Sequence, residues 1–430
     1  MILRNLSWLT ISQAVRLVTG LLVGTWLTRS LGPEQNGILG TTLVIGTLAG
    51  FAAELGLRQI LIKEFAQNAS AANIVFGTAA RLMFGLGVMY MLLALAVAGW
   101  WGGTEMLWIG FILYAPLPLQ AATAVFSRWD AAQQSRRTAS LALGANIFAS
   151  LARVICIWSG ADLRWAAATI ALESVISMGA AFAWSLRHGW TSQWFAWDRT
   201  VAVSLLKQAL PHFLAHSGTL LLLRMDQIMV FQIRGATEAG IYAAATKLSE
   251  VVYASGPLMI MAFMPVLARA HHENEGRYQQ QRGWLFGALT LLAYGSVAIW
   301  LLMGSWVTNL LYGTEFAGVY PVLMIHAFAA LPYLHGELRS NLLVIEGRAA
   351  WSARCAVAGL CLNVVLNLWL IPVHGAVGAA WATAISYTLV WFASSLVLPV
   401  LRQIGWQQCA ALLSPFWLWR ETRDWRRLMS

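Results

Sequence analysis

The residues of this chain that could do chemistry are charges placed inside otherwise apolar stretches. Arg16, Arg153, Glu173, Arg224, Asp226, Lys247, Glu250 and Arg339 all sit in such stretches. A charge in a lipid-spanning segment is expensive, so each is a candidate for the path of an ion or a charged substrate. Asp226 lies seven residues before Ile233, and Lys247 lies seven residues after Gly240. At 1.5 Å per residue, both fall about 10 Å below the turn that joins their helices. An Asp226–Lys247 pair is therefore expected, with Glu250 on the same face as Lys247 and able to compete for it. Arg224 is two residues from Asp226, about 200° away around a helix, so it is expected to face elsewhere. Glu173, near the middle of its stretch, is a candidate proton-carrying carboxylate. A structural pair with Arg153 on the preceding stretch is the other reading, and both are open. Arg339, with Glu337 beside it and His335 one turn earlier, fits either a polar lumen or helix packing. Arg58, with Glu54 four residues before it, and Arg81 lie near helix ends and are expected to snorkel. His212 and His216 stand one turn apart, but no third ligand is near, so no metal site is expected. No phosphate-cradling loop and no nucleophile–base arrangement is present, so no catalytic residue is expected.

The elements that hold these charges follow from composition. The chain has 430 residues, 59% hydrophobic and 11% charged, and its mean hydropathy is +0.64. Soluble proteins carry about 25% charged residues. The deficit, with repeated apolar runs of about 20 residues, predicts a polytopic membrane protein. Such a chain must be an all-α bundle, because unpaired backbone is not tolerated in lipid and the runs are too long for barrel strands. The 23 tryptophans agree with that class, since tryptophan gathers at membrane interfaces. Residues 1–31 show no cleavage signature and read as the first span. Cys156, Cys355, Cys361 and Cys409 have no disulfide or metal spacing.

Twelve spans are expected, over about 8–29, 38–62, 76–99, 106–127, 139–159, 164–187, 209–233, 239–267, 284–304, 319–345, 353–372 and 375–399. Basic residues then gather in alternate loops. One side holds Arg4, Lys63, Arg128, Arg136, Arg137, Arg187, Arg199, Lys207, Arg269, Arg277, Arg282, Arg348, Arg354 and Arg402 with the tail arginines; the other holds Arg29, Arg164 and Arg234. This places both termini in the cytoplasm. The net charge of +10 is thus a topology signal, and no nucleic-acid partner is expected. The expected organisation is a six-helix lobe over 1–187, a cytoplasmic loop over 188–208, a second six-helix lobe over 209–400 and a basic amphipathic tail over 401–430. Leu412, Leu413, Phe416 and Trp417 followed by Arg420, Arg423, Arg426 and Arg427 suit an anionic lipid surface, or serve topology alone. Pro116, Pro118, Pro257, Pro265 and Pro332 are expected to kink their spans.

The two lobes read as repeats. Gly32-Pro33-Glu34-Gln35-Asn36-Gly37-Ile38 and Gly235-Ala236-Thr237-Glu238-Ala239-Gly240-Ile241 share a Gly-x4-Gly-Ile frame at an offset of 203 residues. Ala168-Thr169-Ile170-Ala171-Leu172-Glu173 is echoed by Ala382-Thr383-Ala384-Ile385-Ser386-Tyr387 at an offset of 214. Halves with an even number of spans share one orientation, so these are parallel repeats, an architecture of transporters with a site at the repeat interface.

Leu31-Gly32-Pro33-Glu34-Gln35-Asn36-Gly37, Ala53-Glu54-Leu55-Gly56-Leu57, Asp226-Gln227-Ile228-Met229 and Gly240-Ile241-Tyr242-Ala243-Ala244-Ala245-Thr246-Lys247-Leu248 carry a resemblance, together with Leu362-Asn363-Val364-Val365-Leu366-Asn367-Leu368, Ile371-Pro372 and Gly375-Ala376-Val377-Gly378-Ala379-Ala380. In this order they resemble the polysaccharide-transporter (Wzx-type O-antigen flippase) branch of the multidrug/oligosaccharidyl-lipid/polysaccharide (MOP) exporter superfamily. The likeness spans about residues 5–400. It departs at Asn36, where the family often has an aromatic or small residue, and at Ile38-Leu39-Gly40. The resemblance implies a V-shaped pair of six-helix lobes around a cationic lumen in the bacterial inner membrane. It implies alternating-access flipping of undecaprenyl-diphosphate-linked oligosaccharide for surface polysaccharide synthesis, coupled to H+ or Na+ and working beside a polymerase or ligase. On that reading Arg16, a third of the way into its span, would meet the lipid diphosphate, since a guanidinium grips phosphate oxygens in pairs. A drug/cation antiporter and a lipid II flippase of the same superfamily are the alternatives. The first predicts an acidic lumen and the second extra spans. A membrane-embedded glycan polymerase or ligase would need a large outer loop.

Overall fold

The computed structural model describes residues 2–68 and 71–413. Among the described residues, eight helical stretches are long and apolar enough to cross a membrane. Three of them, of 53, 60 and 49 residues, are too long for one crossing, because a 30 Å hydrocarbon core takes about 20 residues. Each is broken at a glycine with positive φ: Gly32 (74°), Gly103 (66°) and Gly375 (57°). Glycine alone enters this region without steric cost, so it sets where one span ends and the next begins. The breaks are close turns. Thr28 and Asn36 bond across Gly32 at 3.1 Å, and a Cβ on Gly378 would lie 2.4 Å from the Leu370 carbonyl. Split at these glycines, and taken with the helix that carries the expected seventh span, the stretches make the twelve expected spans.

The chain divides into two compact units, Met1–Leu220 and Leu221–Ser430. In the first, α1 (Ile2–Glu54) is followed by α2 (Leu57–Gln67), α3 (Ala72–Tyr114), α4 (Thr123–Ala131), α5 (Ser135–Trp158), α6 (Leu163–Arg187), α7 (Thr191–Trp194) and the start of α8 (Arg199–Arg234). Pro116 and Pro118 do not merely kink the fourth span. They interrupt it with a tight 3-10 turn over Leu117–Ala122, because the rings remove backbone donors. Leu57, Leu61, Phe76, Met83 and Trp129 are buried together in the core of this unit.

The loop expected over 188–208 ends at Asp198, which starts α8. The Asp198 carboxylate accepts from the backbone N–H of Thr200 at 2.7 Å and of Val201 at 3.1 Å, and from the Thr200 hydroxyl. These bonds, the Thr200 hydroxyl foremost, hold its carboxyl below the usual carboxylate range. The segment before it is docked rather than loose. Arg128 donates to Gln193 at 2.6 Å and lies 4.4 Å from the Trp190 ring, and Arg81 donates to the Phe195 carbonyl at 2.5 Å. Phe76 meets Trp190 and Trp194 edge-on, and Gly77 leaves room for the passing backbone, where a Cβ would sit 2.1 Å from the Gln193 carbonyl.

The second unit holds the rest of α8, then α9 (Ala236–Glu273), α10 (Glu275–Tyr312), α11 (Val319–Ile345), α12 (Ala349–Tyr387), a π-helical turn (Thr388–Ala393), α13 (Ser394–Val397) and α14 (Arg402–Leu413). Leu285, Phe286, Leu289, Leu334, Leu338 and Leu342 form its core between α10 and α11. α14 packs Ile404 and Ala411 inward, beside the buried Leu401 that precedes it. It is fixed by the buried Arg282, which donates to Gln407 at 2.5 Å and to Glu346 at 3.2 Å, while Tyr278 donates to Glu346 at 3.0 Å. The first part of the expected tail is thus a docked helix. Phe416, Trp417, Arg420, Arg423, Arg426 and Arg427 lie outside the described residues.

The repeat is visible in the backbone. Gly32 and Gly235 both take positive φ, 74° and 87°, at equivalent places in the two units. The α5–α6 turn, with Gly160 at φ 64°, matches the break at Gly375.

Candidate functional site

In the second unit the sequence puts one carboxylate deep in the helices, and the fold closes polar side chains around it. Asp226 on α8 is 3% exposed. Its Oδ1 accepts from Asn367 Nδ2 at 2.5 Å, and its Oδ2 accepts from the Tyr242 hydroxyl at 2.9 Å and from the Thr383 hydroxyl. Asn367 Nδ2 also donates to Asn363 Oδ1 at 3.0 Å. Asn363 and Asn367 are four apart and so share one face of α12. The break at Gly375 turns the chain back, which brings Thr383 on the second arm of the same helix to the same carboxylate. Asn367 Oδ1 and Asn363 Nδ2 are buried without a hydrogen-bond partner among the described residues.

These bonds correct the expected pairing. The carboxylate matched with Lys247 from depth alone takes neutral hydroxyl and amide donors. The carboxylate that takes a guanidinium is Glu250, whose Oε1 lies 2.5 Å from Arg224 NH1. Equal depth does not fix which way a side chain faces, and Asp226 faces α12. The Arg224–Glu250 pair is partly exposed, at 36% and 48%. Arg339 resolves toward packing. It is fully buried, and its NH1 donates to the Val390 carbonyl at 3.1 Å and to Ser394 and Ser395 at 2.8 and 3.0 Å. It thereby satisfies a carbonyl in the π-helical turn, where the regular ladder is disturbed.

The first unit has its own polar cluster. Arg16 on α1 pairs with Glu173 on α6 at 3.0 Å, Asn146 on α5 donates to the other Glu173 oxygen at 3.2 Å, and Thr19 donates to Asn146 at 2.9 Å. Glu173 therefore takes Arg16 as its ion-pair partner, where the sequence offered Arg153. Arg153 is 8% exposed, and its Nε has no partner among the described residues. Arg16 keeps 45% of its side chain exposed, so its guanidinium remains open to a further anion. Arg58 does not snorkel alone but bonds Asp130 at 3.1 Å. His216 Nδ1 lies 2.9 Å from the carbonyl of His212 on its own helix.

Tyr242, Asn363, Asn367 and Thr383 were not singled out as site residues from sequence. The available signal was an Asn-x3-Asn pair in an apolar span, where amides are nearly as conspicuous as charges. The oxygen atoms gathered here, from a carboxylate, two amides and two hydroxyls, are the donor type that suits a proton or a hard cation such as Na+. The unpartnered Asn367 Oδ1 fits that use, since it is an acceptor with nothing to accept.

The comparisons with known proteins agree with this architecture. The family model for "Polysaccharide biosynthesis protein" matches residues 2–271. The lipid III flippase of Escherichia coli (strain K12) is 24% identical over 407 residues, 90% of this chain and 95% of that protein. An uncharacterized membrane protein of Methanocaldococcus jannaschii is 28% identical over 85 residues, 20% of this chain and only 17% of that protein. Among solved structures, an inward-facing multidrug resistance MATE family transporter of the MOP superfamily matches with a TM-score of 0.75 at 16% identity, covering 95% of this chain and 98% of that one. The lipid II flippase MurJ in an inward closed conformation matches with a TM-score of 0.69 at 11% identity, covering 96% and 95%.

Proposed function

Since the chain belongs to the polysaccharide biosynthesis protein family, we propose that it is a MOP-superfamily transporter that flips a lipid-linked oligosaccharide across the bacterial inner membrane. The substrate class is an undecaprenyl-diphosphate-linked repeat unit bound for surface polysaccharide such as O-antigen. Movement is by alternating access, with both termini cytoplasmic and a polymerase or ligase receiving the product. The observation that carries the reading is the first unit's cluster, in which Arg16 stays half exposed beside Glu173 while the buried Arg153 adds a second positive charge. That unit offers a net positive, accessible guanidinium of the kind that binds a diphosphate. A phosphate arriving at Arg16 competes directly with Glu173.

The Asp226 cage supplies the coupling site on this reading. A proton or Na+ held there provides the counter-charge that the neutral donors do not, and Asp226, Asn363, Asn367, Thr383 and Tyr242 are the residues that would hold it. Its occupancy changes the charge on the bonds joining α8, α9 and both arms of α12. This gives an ion gradient a physical hold on the helices of the second unit.

The test is deletion of the gene in its host, followed by analysis of surface polysaccharide and of lipid-linked repeat units. The expected result is loss of surface glycan with lipid-linked units accumulating on the cytoplasmic face. Unchanged glycan with altered drug tolerance would favour the antiporter and overturn the flippase. Accumulation of peptidoglycan precursor instead would favour lipid II.

A further inference from the structure

The second unit holds a cavity of about 260 Å³ between the start of α12 and the end of the last span. Trp351 and Arg354 stand at one end of it, and Ala358, Leu389 and Leu398 line its length. Ala358 is seven residues beyond Trp351, and Leu389 is nine before Leu398. At 1.5 Å per residue the cavity reaches about 10–13 Å inward from the helix ends. Leu389 is an exposed apolar side chain, as are Val357 and Val397, the sequence neighbours of Ala358 and Leu398. This side of the unit therefore faces hydrocarbon, and the end at Trp351 and Arg354 lies at the level of the lipid headgroups.

That end is positive and has no answering charge. Arg354 is exposed, its guanidinium carbon lies 5.0 Å from the centre of the Trp351 ring, and no carboxylate pairs with it among the described residues. α12 starts with no side-chain cap and no acidic residue in its first turn, so the positive end of its dipole is uncompensated. Behind the wall, the buried Arg339 donates to the Val390 carbonyl at 3.1 Å and to the Ser394 hydroxyl at 2.8 Å, and both residues line the cavity. Its Nε and NH2 have no partner among the described residues. Between Glu346 and Glu421 the sequence contains no acidic residue, and every element that walls the cavity falls in that interval. Glu346 itself is already shared by Arg282, Arg348 and Tyr278.

We propose that this cavity binds one anionic phospholipid of the leaflet at these helix ends, the cytoplasmic leaflet on the topology proposed above. The phosphate lies against the Arg354 guanidinium and the start of α12, where charge-assisted bonds to its oxygens are available. One acyl chain runs past Ala358, Leu389 and Leu398 and continues into the bilayer, because the volume is below the roughly 300–1,000 Å³ of a pocket that encloses a small molecule. A single exposed guanidinium suits one phosphate rather than a diphosphate that carries sugars. The lipid braces the π-helical turn from outside, while Arg339 holds it from within. The site does not depend on what is transported.

The test uses the full-length chain in nanodiscs of phosphatidylcholine, with and without phosphatidylglycerol. Lipid retained by the protein is counted by native mass spectrometry, and melting temperature is the second readout. The wild type is expected to keep one phosphatidylglycerol in preference to phosphatidylcholine, and to melt higher when phosphatidylglycerol is present. R354Q should lower the preference about fivefold, the worth of one basic side chain beside an anionic headgroup. R269Q, which removes an exposed arginine of α9 that does not line the cavity, should leave it unchanged. A358W fills the cavity and keeps every charge, and should abolish both the retained lipid and the melting shift. The proposal is overturned if the wild type shows no preference, if R269Q lowers it as much as R354Q, or if a folded A358W keeps the lipid. Retention of an isoprenoid diphosphate from host membranes in place of phosphatidylglycerol overturns it too. Where A358W does not fold, R354Q against R269Q decides.

Discussion

Replacing Asp226 with alanine should be far more damaging than breaking the ion pair two residues away. The carboxylate is 3% exposed and accepts from Asn367, Tyr242 and Thr383. Its loss strands buried donors, and a stranded buried polar group costs about 1–3 kcal/mol. Hydrogen bonds between membrane helices average nearer ~0.6 kcal/mol and reach ~1.7, because the reference state in lipid also finds partners. Weighing both, Asp226→Ala should cost about 2–5 kcal/mol and the near-isosteric Asp226→Asn about 1–2. Arg224→Ala removes a pair whose side chains are 36% and 48% exposed, so screening leaves only about 0–1 kcal/mol. The assay is reversible unfolding in mixed micelles, with a cycle of Asp226→Asn and Thr383→Val to isolate their coupling, expected at about 1 kcal/mol. If Asp226→Ala costs no more than Arg224→Ala, or the cycle closes additively, the cage is not held together as described.

Three further outcomes are expected. Gly375→Ala forces an alanine into φ 57° and brings its Cβ within 2.5 Å of Glu238, whose Oε2 accepts from Ala376 N–H at 2.9 Å; a loss of about 1–3 kcal/mol in the same unfolding assay is expected. Asp198 has its carboxyl held below the usual range by the Thr200 and Val201 bonds, so its contribution to stability is present above the ordinary carboxylate pKa and fades as pH falls through its own lower value; the stability gap between wild type and Asp198→Ala should therefore hold at neutral pH and close in strong acid. Arg16→Ala should leave the melting temperature nearly unchanged, since its pair with Glu173 is half exposed, but cut uptake of lipid-linked oligosaccharide into everted vesicles at least tenfold, with Arg16→Lys recovering only part.

Much of the fold was legible because lipid imposes a simple rule on sequence. The apolar runs place the twelve spans, and the glycines at 32 and 235 mark matching turns in the two halves, because each needs a positive φ. The candidate charges were also legible, since a charge in an apolar run stands out. Their partners were not. Depth along a helix can be counted from sequence, but azimuth cannot be fixed to the needed precision, as one residue turns a helix by about 100°. Asp226 and Lys247 share a depth, yet the Asp226 carboxylate is taken by donors that include two on α12, and Glu250 takes Arg224. Asn363, Asn367 and Thr383 escaped because uncharged polar residues are common enough in spans to pass as packing. The role of Arg339 depended on a π-helical turn that no local pattern announces.

The knot around Arg282 bears on how the protein is made. Its guanidinium is 2% exposed and is completed by Gln407 on α14, more than a hundred residues later in the chain. Synthesis runs from the N-terminus, so α10 and α11 emerge and insert well before α14 exists. In that interval Arg282 has Glu346 but lacks its second partner, and its burial is unfinished. Losing one hydrogen bond to a charged group costs about 1.5–3 kcal/mol. A nascent or truncated chain ending before Arg402 therefore holds Arg282 by its bond to Glu346 without the bond from its Nε to Gln407. That mark separates incomplete molecules from complete ones, and it gives quality-control proteases a chemical reason to tell them apart.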